Sequence, residues 1–600
     1  MSVQKYSVNQ HPIQSILSWV RDGEIAIPEI QRPFVWNAAK VRDLIDSLYR
    51  GYPVGYIIAW RNPSIRLKDG STSAGKRILI DGQQRVTALM ASLLGREIID
   101  ADYKTTKVVI AFHPLKDGGS FEVSNPVIQK DAGWIGDISI LQSGNFKLNS
   151  TVKAYVAANP GADEDALFES IQQLQGLVNN PIGLIDLNAD LDIETVTDIF
   201  IRINSQGATL NQADFAMSKI AANESYGGQD LRKAIDYFCH MAVAPDFYKQ
   251  VSTLDGSFSS TDYFKKMAWL KDESDDLYDP SYTDMLRVAF TSEFKRGRLQ
   301  DLVALLSGRN FETRTFEETI AETSFARLKE AVLRFMNETY FKNYLMIIRS
   351  AGFVSPTMVR SQNTLNFAYI VYLVARTAKV PPPQIESLVR RWFVMSILTG
   401  RYSGSPESSF DFDVRQIDEK GLANYLGEVE RAELSEAFWS AALPLNMDTS
   451  VATSPYFNVY LAAQVKGGDQ GFLSRDIRVE DLIKLKGDVH HLFPKAYLKS
   501  HNVPRGQYNQ IANYVMMQTE INIAVRDRAP AGYFSALRNG VNVGKPAFGG
   551  IDNTEDLEAN FALHCLPDAM HEKVVDHYEA FLQERRKLIA KKIQGFYEKL

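Results

Sequence analysis

Apolar residues recur at helical spacing early in the chain. Val41, Leu44, Ile45, Leu48 and Tyr49 share one face, and Asn37 stands before them as a candidate N-cap. Residues 56–60 and 77–80 are short apolar runs that predict strands, joined by a polar loop rich in Gly and Ser. Residues 107–112 and 181–187 predict two more strands, and 161–166 a surface loop leading into a helix. From 236 to 450 the period becomes helical, with windows at 325–341, 364–378 and 384–398. Pro381, Pro382 and Pro383 separate the last two, because proline cannot continue a helix. Residues 451–600 return to mixed structure and close on a charged helix with an apolar stripe, 569–600.

These patterns predict an α+β multidomain protein: an α/β domain at 1–235, a helical coupling region at 236–450 and a mixed domain at 451–600. Six hundred residues exceed what one hydrophobic core organises. No short-period repeat of the solenoid kind is present.

Net charge is −6, which argues against a chain coated in basic side chains but leaves room for a local basic groove. Between 486 and 545 the balance reverses: Lys486, Lys495, Lys499, Arg505, Arg526, Arg528, Arg538 and Lys545 face Asp488, Glu520 and Asp527. Two cysteines, Cys239 and Cys565, cannot build a disulfide framework or a four-cysteine zinc site. The first residues lack a basic-then-apolar leader, and the longest apolar run, 367–375, is about half the length of a membrane span. The expectation is a soluble, cytoplasmic protein with no membrane partner.

Two segments carry candidate chemistry. Residues 78–90 read as strand, tight turn and helix, with Asp81-Gly82 at the turn and Gln83, Gln84 and Arg85 in the first helical turn. A helix N-terminus offers unpaired N–H groups to a phosphate, Gly82 permits close approach, and Arg85 adds a fork of donors. On spacing alone the same residues also fit a plain Asp-Gly turn with a surface arginine. Gln31 and Arg32, held between prolines before a helix, favour the phosphate reading. Residues 70–77 nearly spell a Walker A loop, but Arg77 stands where the Mg²⁺-binding Ser/Thr belongs and a strand follows instead of a helix.

The second segment is Asp488-Val489-His490-His491-Leu492-Phe493-Pro494, followed by Asn513 and Asn522. Residues 481–488 lead into a strand at the histidines that Pro494 stops, and a polar loop at 501–510 connects to the asparagines. Adjacent imidazoles and ordered downstream asparagines fit a one-metal phosphodiesterase. Imidazole and amide donors suit Mg²⁺, Mn²⁺ or Ni²⁺, with zinc still open. Asp488 is a candidate partner for His490 that would fix its tautomer. Trp392, Phe393, Arg401, Tyr402 and Asp413 read as structural, and His564, His571 and His577 lack the spacing of a metal site.

The segments IPEIQRPFVW (27–36), DGQQRVTAL (81–89) and IFIRINSQGATL (199–210) resemble the ParB-like N-terminal domain of GmrSD-type restriction proteins. HHLFPKAYL, IANYVMM and the following Ile-Asn resemble the HNH-like (ββα-metal) C-terminal domain of the same family. The first resemblance implies an NTP-binding, NTP-hydrolysing site at Gln31, Arg32, Asp81, Gly82, Gln83, Gln84 and Arg85. The second implies His491 as general base, His490 and Asn522 as metal ligands and Asn513 as the positioning asparagine; the choice of base between the two histidines stays open. Together they imply a type IV restriction enzyme of phage defence, using NTP and a divalent metal, Mg²⁺ or Mn²⁺ first, to cut or nick modified DNA, with a homodimer as one form that could cut both strands. The alternative is a nucleotide-switched, ParB-like DNA clamp with a vestigial nuclease centre.

Overall fold

A computed structural model describes residues 5–26, 34, 36–61, 77–99, 105–143, 146–188, 191, 199, 212–273, 277–315, 317–485, 487 and 489–600. Gln31, Arg32, Lys486, Asp488, the near-Walker loop at 70–76 and most of segments 27–36 and 199–210 lie outside the described residues. The chain divides into two compact units, Met1–Glu273 with Val303–Phe325, and Ser274–Leu302 with Ala326–Leu600. The helical middle thus contributes to both units, and residues 451–600 belong to the second.

The first unit is built on a five-stranded mixed sheet. β1 (Tyr6–Pro12), β2 (Ile25–Ala26), β3 (Tyr56–Arg61) and β4 (Arg77–Asp81) precede two short pairs, β5 (Ile98–Ile99) with β6 (Thr105–Thr106) and β7 (Ile110–His113) with β8 (Ser120–Val123). β9 (Pro181–Leu187) completes the sheet in the order β1-β9-β3-β4-β2. β9 runs antiparallel to β1 and parallel to β3, and β4 antiparallel to β3 and parallel to β2. The strand expected at 107–112 pairs only from Ile110 onward.

Alternation along β3 explains why it is central. Ile57 and Ala59 enter one apolar cluster with Leu79 and Leu184, while Ile58 and Trp60 enter a second with Ile80 and Leu187. The first cluster is covered by α1 (Ile13–Arg21), α2 (Ala38–Tyr49) and α3 (Gln83–Leu94). α2 is as its period predicts: Asn37 Oδ1 accepts the Lys40 N–H at 2.8 Å, and Val41, Leu44, Ile45, Leu48 and Tyr49 are all buried. α5 (Glu164–Gly176), which follows α4 (Leu148–Ala158), starts at the expected loop with Asp163 as its cap.

The second unit is largely helical. The windows at 364–378 and 384–398 are helices Gln362–Thr377 and Pro382–Thr399, the latter opening on the proline run. The window at 325–341 is not one helix: Glu318–Phe335 ends and Glu338–Ser350 begins at Asn337, whose side chain accepts the Tyr340 N–H. A cap that satisfies orphan N–H groups outweighs apolar continuity across the break.

Arg401, Tyr402 and Asp413 form a buried network. Asp413, 1% exposed, accepts from Arg401 Nε, Tyr402 OH and Tyr425 OH at 2.7–2.8 Å, and Trp392 Nε1 donates to the Tyr402 hydroxyl at 3.0 Å. Every partner is satisfied within the protein, in keeping with a structural role. The closing helix spans Tyr578–Tyr597, later than the 569 start expected, because 3-10 turns at Met570–Glu572 and Val575–His577 occupy the preceding residues.

Candidate active site

In the second unit the helix Val479–Lys484 precedes the histidine segment, and only Val489–His491 forms the strand, β10. It pairs antiparallel with β11 (Tyr514–Met516), so that His490 faces Val515 and His491 faces Tyr514 across the ladder. His490 is buried at 8% exposure, while His491 is partly open. The Tyr514 ring meets the His491 ring edge-on, with centroids 5.1 Å apart. His491 Nε2 lies 3.0 Å from Asn509 Oδ1. Burial holds the His491 pKa below its ordinary value; the Asn509 hydrogen bond opposes this, and Lys495 and His490 add to it. The imidazole is therefore neutral at pH 7 and able to take a proton.

The turn after the histidines is locked by Asn513. This fully buried amide accepts the Phe493 N–H at 2.8 Å and donates to the Phe493 carbonyl at 3.1 Å and the Tyr508 carbonyl at 3.2 Å. Its own carbonyl accepts the Leu492 N–H at 2.8 Å. Tyr533 OH donates to Leu492 O at 2.7 Å, so both residues after His491 are pinned. Asn522 sits, half-buried, on the helix Thr519–Val525. Ile521 and Val525 of that helix enter the same core as Leu492 and Phe493.

Arg585 supports the other side of the turn. Wholly buried, it donates to the carbonyls of Ala512 at 2.7 Å, Tyr514 at 2.9 Å and His564 at 3.1 Å. His564 is a core residue: its Nε2 donates to Gln470 O at 2.9 Å, its Nδ1 lies 3.3 Å from Gln464 Nε2, and burial lowers its pKa to about 3.

Neither Asn509 nor Arg585 stands out in the sequence as a site residue. Asn509 lies in a polar connecting loop, and nothing in one sequence marks which loop amide meets a histidine. Arg585 does leave a signal. It falls on the apolar stripe of the closing helix with Tyr578, Phe581, Leu582, Ile589 and Ile593, and a cation on such a stripe needs internal acceptors.

In the first unit, Asp81 ends β4 and Gly82, at φ 90° and ψ 6°, makes the turn into α3. A Cβ on Gly82 would lie 3.2 Å from Ile57 Cα, so the close approach here is to β3. Arg85 Nη1 donates to the Tyr56 carbonyl, and Nη2 lies 3.9 Å from Asp81 Oδ2. Asp81, Gly82 and Arg85 are thus joined, with Gln83 buried and Gln84 half-buried in the first turn of α3.

Residues 13–221 match the family model of the GmrSD restriction endonuclease, N-terminal domain. The match spans most of the sheet-bearing unit, DGQQR turn included. An uncharacterized protein of Methanocaldococcus jannaschii is 22% identical over 639 residues, covering 97% of this chain and 98% of the relative. That similarity runs through both units. Among the described residues no helix is long and apolar enough to cross a membrane, and no group of three or more His, Cys, Asp or Glu side chains is placed to hold a metal ion.

Proposed function

We propose that this chain is a restriction endonuclease of the GmrSD type, cutting or nicking modified phage DNA under control of a nucleoside triphosphate. The observation that carries the reading is a partly open His491, bonded to Asn509, on a strand whose following turn is fastened by Asn513, in a chain whose N-terminal region matches the GmrSD domain. In this reading residues 1–235 bind and hydrolyse NTP, 236–450 couple, and 451–600 cut.

His491 acts as general base, drawing a proton from a water whose oxygen attacks phosphorus as the P–O bond to the leaving sugar oxygen breaks. Asn509 bonds Nε2 of the imidazole and directs Nδ1 at the water. Asn513 positions His491 through the Phe493 turn. The donor set fits a divalent cation chemically, since imidazole nitrogen and amide oxygen leave room for phosphate and water oxygens. His490 and Asn522 would hold it, and Mg²⁺ or Mn²⁺ would there stabilise charge on the phosphate and leaving oxygen. In the first unit, Asp81, Gly82, Gln83, Gln84 and Arg85, with Gln31 and Arg32, form the nucleotide site. The Arg85–Tyr56 bond holds that turn against β3.

The test is a panel of modified and plain phage DNAs incubated with the full chain, Mg²⁺ or Mn²⁺ and each NTP, comparing wild type with His491→Ala. Cutting abolished by the substitution is expected. Absence of cutting, or cutting that survives His491→Ala, overturns the assignment.

A further inference from the structure

Many cations of the second unit are matched by carboxylates: Lys342 by Glu338, Lys420 by Glu428, Lys573 by Glu584 and Arg586 by Asp448. Lys495, Lys499 and Arg505 are different. All three are exposed, and among the described residues none is paired with a carboxylate. Lys495 and Lys499 are spaced i,i+4 on the helix Lys495–Ser500, an arrangement in which like charges repel. Both reach over one ring: their Nζ atoms lie 5.9 and 5.8 Å from the centroid of Tyr508. Arg505 opens the short helix Arg505–Tyr508 that carries this ring.

The cluster is tied to the histidine centre. Tyr508 is buried, and its carbonyl accepts from the Asn513 amide that also locks Phe493. Lys495 begins four residues after His491 and contributes to the field at its ring. Three cations without a carboxylate partner among the described residues thus gather at the Tyr508 helix, which Asn513 ties to the turn after His491. In a chain of net charge −6 this concentrates positive potential where a polyanion would need it.

We propose that Lys495, Lys499 and Arg505 form a phosphate track that holds a DNA backbone against His491 and contributes affinity blind to base identity and base modification. The Tyr508 ring gathers both ammonium groups at the outer limit of cation–π range, close enough to bring them together and far enough to leave them open to water and phosphate. Flexible cationic ends on short helices contact phosphate oxygens, which carry no sequence information. Selection of modified DNA therefore belongs to other surfaces of the chain. The proposal rests on the nuclease reading for the chemistry performed at His491, but the track itself is a binding claim.

The experiment measures binding of the full-length protein to a fluorescent DNA duplex in EDTA, with and without hydroxymethylated cytosines, across a salt series. Lys495→Gln/Lys499→Gln/Arg505→Gln is expected to shrink the slope of log K against log salt by about 2 to 3, near 0.9 per lost phosphate contact. Affinity should fall by the same factor for both DNAs. Lys342→Gln/Lys420→Gln/Lys573→Gln, which removes as much charge from paired sites, should leave the slope unchanged. A slope change below about 1, a loss confined to one DNA, an equal loss in the control, or wild-type protein without salt-dependent binding overturns the track. Cutting is assayed separately with Mg²⁺. A wild type that cuts while its slope ignores the three substitutions defeats only the track; a slope that falls in a protein that never cuts defeats only the nuclease.

Discussion

Asn513 and Phe493 exchange two hydrogen bonds, the amide oxygen accepting the Phe493 N–H at 2.8 Å and the amide nitrogen donating to the Phe493 carbonyl at 3.1 Å. The side chain thus substitutes for a strand partner at the point where β10 ends. Two residues after His491, this fixes how the histidine leaves the ladder. Replacing Asn513 by Ala strips the Phe493 N–H and carbonyl of their side-chain partner in a buried site, while the Tyr508 carbonyl keeps the Tyr578 hydroxyl at 3.3 Å, an expected loss of about 2–3 kcal/mol in chemical denaturation. DNA cleavage should fall about 100-fold in single turnover, the scale of an ångström's misplacement. Asn513→Asp keeps the acceptor for Phe493 N–H and should fall between. Unchanged cleavage in the Ala variant would show that the turn does not position the base.

Asn509 is expected to act on turnover and not on substrate binding. Asn509→Ala frees the His491 ring and should lower kcat about tenfold, part of the contribution a positioned base makes, with KM unchanged. Asn509→Asp preserves an oxygen acceptor at Nε2 and should retain more activity than the Ala variant. Equal kcat in all three proteins would remove Asn509 from the site.

Gly82 tests the proposed nucleotide turn by backbone geometry alone. Its φ is 90°, and a methyl group on its Cα would stand 3.2 Å from Ile57 Cα, so Gly82→Ala combines strain with collision. A non-glycine residue in this region costs about 1–3 kcal/mol before any clash. Gly51, at φ 73° with open space around it, should tolerate Asn far better. Scanning calorimetry of the two variants checks the order; an equal shift in Tm would mean that the β3 contact carries no weight.

His564 predicts a pH dependence of stability. Its folded pKa is lowered to about 3 by burial, below the unfolded value, so between the two the unfolded chain binds a proton that the folded chain refuses. Stability is therefore complete above the unfolded pKa and is lost as pH falls toward the folded one. From about pH 6.5 to pH 5 the loss is about 2 kcal/mol, at 1.36 kcal/mol per unit. His564→Gln should flatten this part of the denaturant-midpoint profile relative to wild type. Parallel profiles for the two proteins would assign the acid sensitivity to other groups.

Local periodicity carries much of the architecture. The α2 face from Val41 to Tyr49, the Asn37 cap, the β9 span and the proline-opened helix at 382 all follow from spacing and capping preferences that act over a few residues. The same local rules miss the break at Asn337, where apolar residues continue but a side-chain cap starts a new helix. They also place the closing helix too early, since two 3-10 turns precede it.

For the candidate site, order along the chain is legible because a histidine pair, a proline and two asparagines are chemically unusual in sequence. What the sequence by itself determined is this set of groups, the DGQQR turn and the apolar run that becomes β3. Tertiary structure alone decided that Asn513 faces Phe493, that Asn509 reaches His491 across 18 residues, and that Arg585 supports the turn from 71 to 73 residues away. It also decided which cations find carboxylates and which, like Lys495 and Lys499, gather at the Tyr508 ring instead. Hydrogen bonds between side chains and distant backbone depend on how elements pack, and no local propensity encodes that packing.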